Sequence, residues 1–176
     1  GVASGIIDLA VLQVLSSRLR ALNWRADVVL RESEIIALDA PQTRWIGLAV
    51  DIGTTKIAVY LVDMKSGEIA ASSALMNPQI SYGEDVVSRI HIAGESAENA
   101  AKLQALLVDA FNGTIASMCD GIGSDPSHIV DAVIVANTAI HHLFLQAPVQ
   151  QLGLVPYVPA VRSALDIKAR DLGLKT

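Results

Sequence analysis

Cysteine is nearly absent from this sequence of 176 residues, which contains Cys119 alone. A single cysteine excludes a disulfide within the chain, and it excludes an iron–sulfur cluster held by four cysteines of these residues. A lone cysteine near the end of a helix is most often a small buried apolar side chain. We therefore expect Cys119 to be a small buried apolar residue.

Charged residues are also few, at 18% of the sequence. The net charge is −5 and no basic cluster occurs, which argues against nucleic acid as a partner. No uninterrupted apolar run is long enough to span a bilayer, which argues against a membrane protein. No basic region typical of a signal peptide precedes the first apolar residues. A cytoplasmic location is the default expectation.

Apolar residues, in contrast, are abundant. Hydrophobic residues make up 52% of the chain and the mean hydropathy is +0.44, which is unusually apolar for a globular protein. We interpret the chain as a piece of a larger protein, in which missing parts cover apolar surfaces. If those parts are missing, we expect the chain to self-associate, for example as a homodimer, through an exposed sheet edge or apolar face.

The most informative stretch runs from Ile46 to Asn77. It contains three apolar runs separated by two short polar segments, and each run has the length and composition of a strand. The runs are Ile46–Val50, Ile57–Val62 and Ile69–Leu75. Three strands joined by short turns predict an antiparallel meander.

The first turn of this meander, DIGTTK, has the residues needed to bind a polyphosphate. Gly53 allows the backbone to approach an anion closely. The amides and hydroxyls of Thr54 and Thr55 can donate to phosphate oxygens. Asp51, at the end of a buried strand, can hold Mg²⁺ through water, and Lys56 could supply a point charge.

The alternative is a plain hairpin turn, in which Gly53 serves only the geometry of the chain. The sequence DxGT is a weak signal by itself. The spacing of a Walker loop is absent, and a strand rather than a helix follows the turn.

Further blocks along the chain support a resemblance to one family. The blocks are GLAVDIGTTKIAVYLVDMKSGEI, MNPQISYGEDVVSRI, VANTAIHHLFL and VPYVPA, which together span roughly Trp45 to Pro159. In this order they resemble the ATP-dependent reductive activators of corrinoid proteins. These are iron–sulfur proteins with a nucleotide domain of the actin, sugar-kinase and Hsp70 superfamily.

The resemblance implies an α/β fold: a ribonuclease H-like half-domain with a mixed sheet, preceded by a helix and a β-hairpin. It implies ATP and Mg²⁺ as ligands, with Asp51 organising the metal and Gly53, Thr54, Thr55 and Lys56 holding phosphates. A [2Fe–2S] cluster is expected only in a missing N-terminal domain. The implied function is reduction of the Co(II) corrinoid cofactor of a methyltransferase-system corrinoid protein to Co(I).

Two functions of other classes stay open. One is a small-molecule kinase of the same superfamily, acting on a sugar or acid. The other is a non-catalytic module in which nucleotide only sets the conformation. The blocks NPQISYGEDVVSRI and NTAIHHLFL favour the activator over both. The second phosphate loop and the adenosine loop of the superfamily would follow Thr176, so residues 1–176 alone are expected to bind ATP weakly or not at all and to have no ATPase activity.

The first part of the chain predicts a helix from Ser4, as N-cap, to Asn23, and then a hairpin of Ala26–Leu30 with Ile35–Leu38. A helix and a hairpin are too little to bury a core. We therefore assign residues 1–44 to the end of a middle or linker domain, and residues 45–176 to the first half of the nucleotide domain. The boundary lies within Asp39–Arg44, which contains a proline.

A helix is predicted to begin near Glu84, with Glu84 and Asp85 in its first turn and Val86, Val87 and Ile90 on its buried side. The two acids have a structural interpretation as residues that favour a helix start. In sugar kinases of the superfamily the corresponding region contacts substrate and offers an acid, so the resemblance makes Glu84 and Asp85 candidate catalytic residues.

Ser96 is predicted to cap a helix over Ala97–Met118, and Ile129–Ala136 predicts a parallel strand that is apolar on both faces. This strand ends at Asn137 and Thr138, where parallel strands deliver residues to a ligand crevice. The pair could equally cap the next helix, and both roles are compatible.

His141 and His142 do not predict a metal site, because adjacent side chains on a helix diverge and no third ligand is near. Their role is left open. Gln146–Pro159 predicts an irregular connection, and Ala160–Leu172 predicts a helix ended by Gly173.

Overall fold

The computed structural model describes residues 5–176 and has the alternating elements of an α/β chain. The strands are β1 (Ile6–Ile7), β2 (Asp27–Arg31), β3 (Glu34–Asp39), β4 (Ile46–Ile52), β5 (Lys56–Asp63), β6 (Ile69–Met76) and β7 (Ile129–Ala136). The α-helices are α1 (Leu9–Ala21), α2 (Val86–Glu95), α3 (Ala97–Gly121) and α4 (Thr138–Phe144). Short 3₁₀ turns cover Pro78–Tyr82, Pro126–His128, Gln150–Leu152 and Ala169–Leu172.

A mixed sheet in the order β6-β5-β4-β7 forms the centre of the fold. β4, β5 and β6 are antiparallel neighbours, and β7 lies parallel to β4. The meander and the parallel strand predicted from the sequence are confirmed. β4 continues past the predicted end at Val50 to include Asp51 and Ile52, which pair with Ala58 and Ile57 of β5.

The core lies on one face of this sheet, beneath α2, α3 and α4. Alternate residues of β4 and β5 point into it, as the period of a strand requires. These side chains are at most 3% exposed: Ile46, Leu48, Val50, Ile52, Ile57, Val59 and Leu61. Each such side chain contributes roughly 1.5–3 kcal/mol when removed from water. Phe111 of α3 packs edge-on against Phe144 of α4, with ring centroids 5.8 Å apart.

The opposite face of the sheet is largely open. Val133 and Val135 of β7 are 60% and 54% exposed, and Tyr60 of β5 is 37% exposed. The prediction that β7 is buried on both faces is therefore wrong for this chain. Its apolar residues alternate between a covered face and an uncovered one, because α2, α3 and α4 all pack on the same side.

The first part of the chain forms a second sheet in the order β1-β3-β2. β1 pairs in parallel with β3, and β2 pairs with β3 as the predicted hairpin. Because Ile6 and Ile7 are drawn into the sheet, α1 begins later than predicted. Asp8 is its N-cap and accepts a hydrogen bond of 2.8 Å from the Ala10 amide. The predicted cap, Ser4, lies outside the described residues.

Ion pairs join this part of the chain to its C-terminal segment. Asp8 is only 4% exposed and accepts hydrogen bonds from Lys168 and Arg170. The guanidinium of Arg170 is the main cause of a pKa for Asp8 that lies well below the usual range, and Lys168 adds to the effect. Asp39 at the end of β3 pairs with Arg18 at 2.7 Å and with His128 at 3.3 Å.

Helices α2 and α3 also differ from prediction. α2 begins at Val86, so Glu84 and Asp85 precede its first turn, and Val87 is 69% exposed rather than buried. α3 has the predicted cap, Ser96, but continues beyond Met118 to Gly121. The connection between α3 and β7 is correspondingly shorter than predicted.

The predicted helix over Ala160–Leu172 is wrong. Only a 3₁₀ turn forms, at Ala169–Leu172, and Gly173 ends it with a φ of 81°. The polar groups of this segment bond elsewhere: the Val161 amide donates to His142, while Lys168 and Arg170 reach Asp8. Side chains of the segment are mostly exposed, so no apolar face favours a helix over these contacts.

Within residues 5–176, no helix is both long enough and apolar enough to cross a bilayer.

Candidate functional site

The candidate phosphate loop, residues 53–55, connects β4 to β5 at one end of the central sheet. Ile52, the last residue of β4, is in register with Ile57 of β5 on one side and with Ala136 of β7 on the other. The loop therefore lies beside the end of β7, where Asn137 begins the next segment. This placement brings together the two groups of residues that the sequence singled out, which are far apart in the chain.

The loop requires glycine at its first position. A Cβ on Gly53 would collide with the backbone carbonyl oxygen of Lys56 across the turn. Glycine is therefore required here by the backbone geometry, whether the turn binds phosphate or is a plain hairpin.

The carbonyl groups of the loop are held from one side by buried donors. The side-chain amide of Asn77 donates to Gly53 O at 2.8 Å, and its backbone amide donates to Thr55 O at 2.9 Å. The guanidinium of Arg89 donates to Thr54 O at 2.8 Å. Asn77 is 1% exposed and Arg89 is fully buried. Three successive carbonyls therefore have fixed partners on the inner side of the loop.

This arrangement also fixes the direction of the loop amides. In a planar trans peptide the C=O of one residue and the N–H of the next point in opposite directions. Since the Gly53 and Thr54 carbonyls face Asn77 and Arg89, the amides of Thr54 and Thr55 face the other way. Two successive outward amides form the kind of concave donor surface that binds phosphate oxygens.

Asn137 connects the end of β7 to the loop. Its side-chain Nδ2 lies 3.4 Å from the Thr54 hydroxyl, a weak contact, and its Oδ1 accepts a hydrogen bond of 3.0 Å from the Ile140 amide. The N-cap role proposed for this position is confirmed for Asn137. Thr138 follows as the first residue of α4 and is exposed.

The charged candidates of the loop are accessible. Asp51 is exposed and lies on the open face of the sheet, in register with Val135. Lys56, the first residue of β5, is also exposed. A carboxylate with free oxygen atoms at the end of β4 suits a hydrated divalent cation.

Glu84 and Asp85 lie at the start of α2, and both are exposed. Asp85 is the N-cap of α2 and accepts a hydrogen bond of 2.7 Å from the Ser88 amide. The amide of Ser88, and then its hydroxyl, hold the pKa of this carboxyl below its usual range. Asp85 thus has a structural function at the helix start, and a catalytic role for Glu84 or Asp85 stays a prediction.

Comparison with known proteins now adds to this geometry. The family model described as the RACo middle region matches residues 46–176. The chain belongs to the RACo family. A search of solved structures finds a similar chain described as a reductive activator for corrinoid, iron-sulfur protein, with a TM-score of 0.83 and 30% identity. That match covers 98% of this chain and 28% of the other.

A curated relative of the family is the corrinoid activation enzyme RamQ of Eubacterium limosum. The two are 34% identical over 128 residues, which is 73% of this chain and 22% of RamQ. The chain therefore spans about a quarter of the length of the relatives it matches. The resemblance inferred from the sequence motifs is confirmed, and the mixed α/β architecture matches that of a corrinoid reductive activator.

Two residues that hold the loop, Asn77 and Arg89, were not recognised from the sequence of this chain. Asn77 was named only as the end of the stretch that contains the meander, and Arg89 was not singled out. A usable signal did exist for Arg89: it is three residues after Val86 and adjacent to Ile90, within the apolar side of α2. A basic residue on the buried side of a helix requires buried acceptors.

The two histidines of α4 differ from each other. His142 is fully buried; its Nδ1 lies 2.7 Å from Thr138 O, and its Nε2 accepts a hydrogen bond of 3.3 Å from the Val161 amide. These contacts require a neutral ring with the proton on Nδ1, and they attach the C-terminal segment to α4. Burial lowers the pKa of His141.

Within residues 5–176, no cluster of three or more histidine, cysteine or acidic side chains could hold a metal ion. Cys119 is fully buried and burial raises the pKa of its thiol, as expected for an unreactive apolar position.

Proposed function

We propose that residues 45–176 are the first half of an actin-like, ribonuclease H-like ATPase domain. The protein that carries it would use ATP to reduce the Co(II) corrinoid cofactor of a methyltransferase-system corrinoid protein to Co(I). The observation that carries the proposal is the loop between β4 and β5. Its carbonyls are tied inward and its amides face outward, in a chain of the RACo family.

The sheet supports the domain assignment. An antiparallel meander of β4, β5 and β6, with β7 added in parallel beside β4, is the arrangement expected for the first half of such a domain. Residues 1–44 would end a preceding domain, and the separate sheet β1-β3-β2 is consistent with this division.

The residues of the loop fit a nucleotide polyphosphate. In the proposed complex, the amides and hydroxyls of Thr54 and Thr55 donate to phosphate oxygens, and Gly53 permits close approach. Lys56 adds positive charge, and Asp51 holds Mg²⁺ through water. Asn137 and Thr138 face the same site from the end of β7. Bound MgATP supplies the free energy of binding and hydrolysis, and the residues here only bind and orient it.

Glu84 and Asp85 would line the reaction cleft. Asp85 stays ionised while it caps α2, since its pKa is lowered by the Ser88 hydrogen bonds. An ionised carboxylate suits the orientation of water or a cation better than the donation of a proton. Because the Asp85 carboxylate is engaged by the Ser88 amide, Glu84 is the better candidate for a proton acceptor.

The electron has to come from outside these residues. Conversion of Co(II) to Co(I) adds one electron, and the potential of this couple is too low for ordinary donors. The chain has one cysteine, so it does not fit a [2Fe–2S] cluster, and a cluster would belong to another part of the full protein. Nucleotide binding and hydrolysis would drive the conformational change that permits the transfer.

The test uses the full natural polypeptide that carries these residues, a Co(II) corrinoid protein and a chemical reductant. The absorption band of Co(I) is followed with and without ATP. We expect an ATP-dependent rise that is lost in Asp51→Ala and retained in Asp109→Ala, which removes an exposed acid of α3. ATP turnover stimulated by a sugar or small acid, with no rise in Co(I) for any corrinoid protein, would contradict the proposal and favour a kinase.

A further inference from the structure

Arg89 is the most unusual charged residue of the structure. It belongs to α2, and its side chain is fully buried. Its Nε donates to Gly83 O at 2.9 Å and its Nη2 donates to Thr54 O at 2.8 Å. Its Nη1 is buried and has no partner among the described residues.

No carboxylate of residues 5–176 forms an ion pair with this guanidinium. Burial lowers the pKa of this guanidinium, and the charge of the exposed Asp85 raises it in part, without a direct ion pair. Arginine nevertheless remains charged, and a buried cation that lacks a direct ion pair is unfavourable. Carbonyl dipoles compensate only part of this penalty. Without the guanidinium the Thr54 and Gly83 carbonyls would lose their donors, so this buried cation holds two backbone segments rather than only filling space.

The two carbonyls that Arg89 binds belong to different parts of the site. Thr54 lies in the phosphate loop, and Gly83 lies 29 positions later (83 − 54), immediately before Glu84 and Asp85. Gly83 has a φ of 147°, and a Cβ there would lie 2.6 Å from the Cβ of Ser88. The planar fork of the guanidinium therefore fixes two backbone segments at a defined separation, which the point charge of a lysine cannot do.

We propose that Arg89 is a positioning residue for the nucleotide phosphates. By holding the Thr54 carbonyl it orients the Thr55 amide toward the phosphates, and by holding Gly83 it makes the phosphate loop and the Gly83–Asp85 segment move as one. A change at the loop on nucleotide binding is thereby passed to the start of α2. This inference rests on the proposed nucleotide site.

The first arm of the test needs no nucleotide. Hydrogen exchange is measured for the full polypeptide, for Arg89→Lys and Arg89→Gln, and for Ile90→Ala as the matched control. Ile90 is the next residue of α2, is 7% exposed and contacts the core rather than the loop. We expect both Arg89 variants to exchange faster at the hydrogen-bonded amides beside the two segments, those of Asn77 and Gly83, which donate to Thr55 O and Ile80 O. Ile90→Ala should destabilise α2 without faster exchange at the Asn77 amide.

The second arm compares ATP with adenosine, which lacks phosphates. Loss of an oriented donor should weaken ATP binding by at least about tenfold in both Arg89 variants, the usual effect of losing a hydrogen bond to a charged group. Adenosine binding should change less than about twofold, because adenosine has no phosphates for these amides to bind. A merely structural loss would weaken the binding of both ligands alike.

The outcomes separate the two proposals. Unchanged ATP affinity in both Arg89 variants, with normal binding by the unmodified protein, would overturn this inference alone. Equal weakening of ATP and adenosine would overturn it as well, since it would indicate general damage. Absence of ATP binding by the unmodified protein would overturn the proposed function and the phosphate role together.

Discussion

Replacing Asn77 with alanine removes two hydrogen bonds at one buried position. The side chain donates a hydrogen bond of 2.8 Å to Gly53 O and accepts one of 2.9 Å from the Gln79 amide, and the residue is 1% exposed. The variant leaves the Gly53 carbonyl and the Gln79 amide without these partners. Each of these two polar groups left unsatisfied costs about 1–3 kcal/mol, so the expected loss in the free energy of unfolding is about 2–6 kcal/mol.

The same change should release the phosphate loop. Without its anchor the Gly53 carbonyl is free to rotate, and the Thr54 amide rotates with it, so ATP binding should weaken by at least about tenfold. Urea unfolding measures the stability change, and calorimetry with ATP measures the affinity. Asn99→Ala is the matched control, because Asn99 also donates to a backbone carbonyl, Ile92 O at 3.1 Å, but lies in α3 away from the loop.

Asn99→Ala should lose about 1 kcal/mol of stability and leave ATP affinity unchanged. A loss below about 1 kcal/mol in Asn77→Ala, with ATP affinity equal to that of the control, would refute the reasoning that this side chain holds the loop.

Three further predictions follow from other parts of the structure. Gly53→Ala should weaken ATP binding at least about tenfold and lower the free energy of unfolding by about 1–3 kcal/mol, because the new methyl group meets the Lys56 carbonyl. The control Gly113→Ala in α3 meets nothing within 4 Å and should stabilise the fold by about 0.5–1 kcal/mol. Calorimetry measures ATP affinity and urea unfolding measures stability; equal behaviour of the two variants would contradict the steric argument. Asp8, whose pKa is lowered mainly by Arg170, should stabilise the fold fully above its unfolded pKa of about 3.9 and progressively less as the pH falls below that value. Asp8→Asn should therefore lower the free energy of unfolding by about 1–3 kcal/mol at pH 7. Unfolding experiments across pH should show that this difference from the unmodified protein shrinks in acid. A difference in stability that is independent of pH would exclude the ion pairs as its cause. The polypeptide of residues 1–176 alone should bind ATP weakly or not at all and self-associate through the open sheet face, less so in Val133→Lys, by calorimetry and sedimentation; a micromolar dissociation constant, or a monomer at high concentration, would contradict it.

Local patterns explain which parts of the fold the sequence could predict. The meander and β7 were recognised because each strand is a continuous apolar run bounded by turn residues. Ser96 was recognised as the cap of α3 because its role depends only on the next few residues. The candidate phosphate loop was singled out for the same reason, as its residues are contiguous.

Features that depend on distant parts of the chain were missed. Asn77 holds a carbonyl 24 residues away and Arg89 holds one 35 residues away, so neither role is visible in a local pattern. The start of α1 was misplaced because Ile6 and Ile7 pair with β3. The helix predicted over residues 160–172 does not form because its charged residues and amides have partners elsewhere in the fold.

The burial of β7 was predicted from the fold class, and it depends on what covers the second face of the sheet. In residues 5–176 all three neighbouring helices lie on one side, so Val133 and Val135 remain exposed. The mixed α/β architecture was thus predictable, whereas the packing of its second face was not.

The central claim is that the amides of Thr54 and Thr55 bind the phosphates of ATP. Hydrogen exchange of residues 52–58 in the full polypeptide, measured with MgATP and with adenosine, tests this most directly. We expect the Thr54 and Thr55 amides to exchange more slowly with MgATP and at an unchanged rate with adenosine. Bound MgATP with unchanged exchange at both amides would contradict the claim, and the turn would then be a plain hairpin.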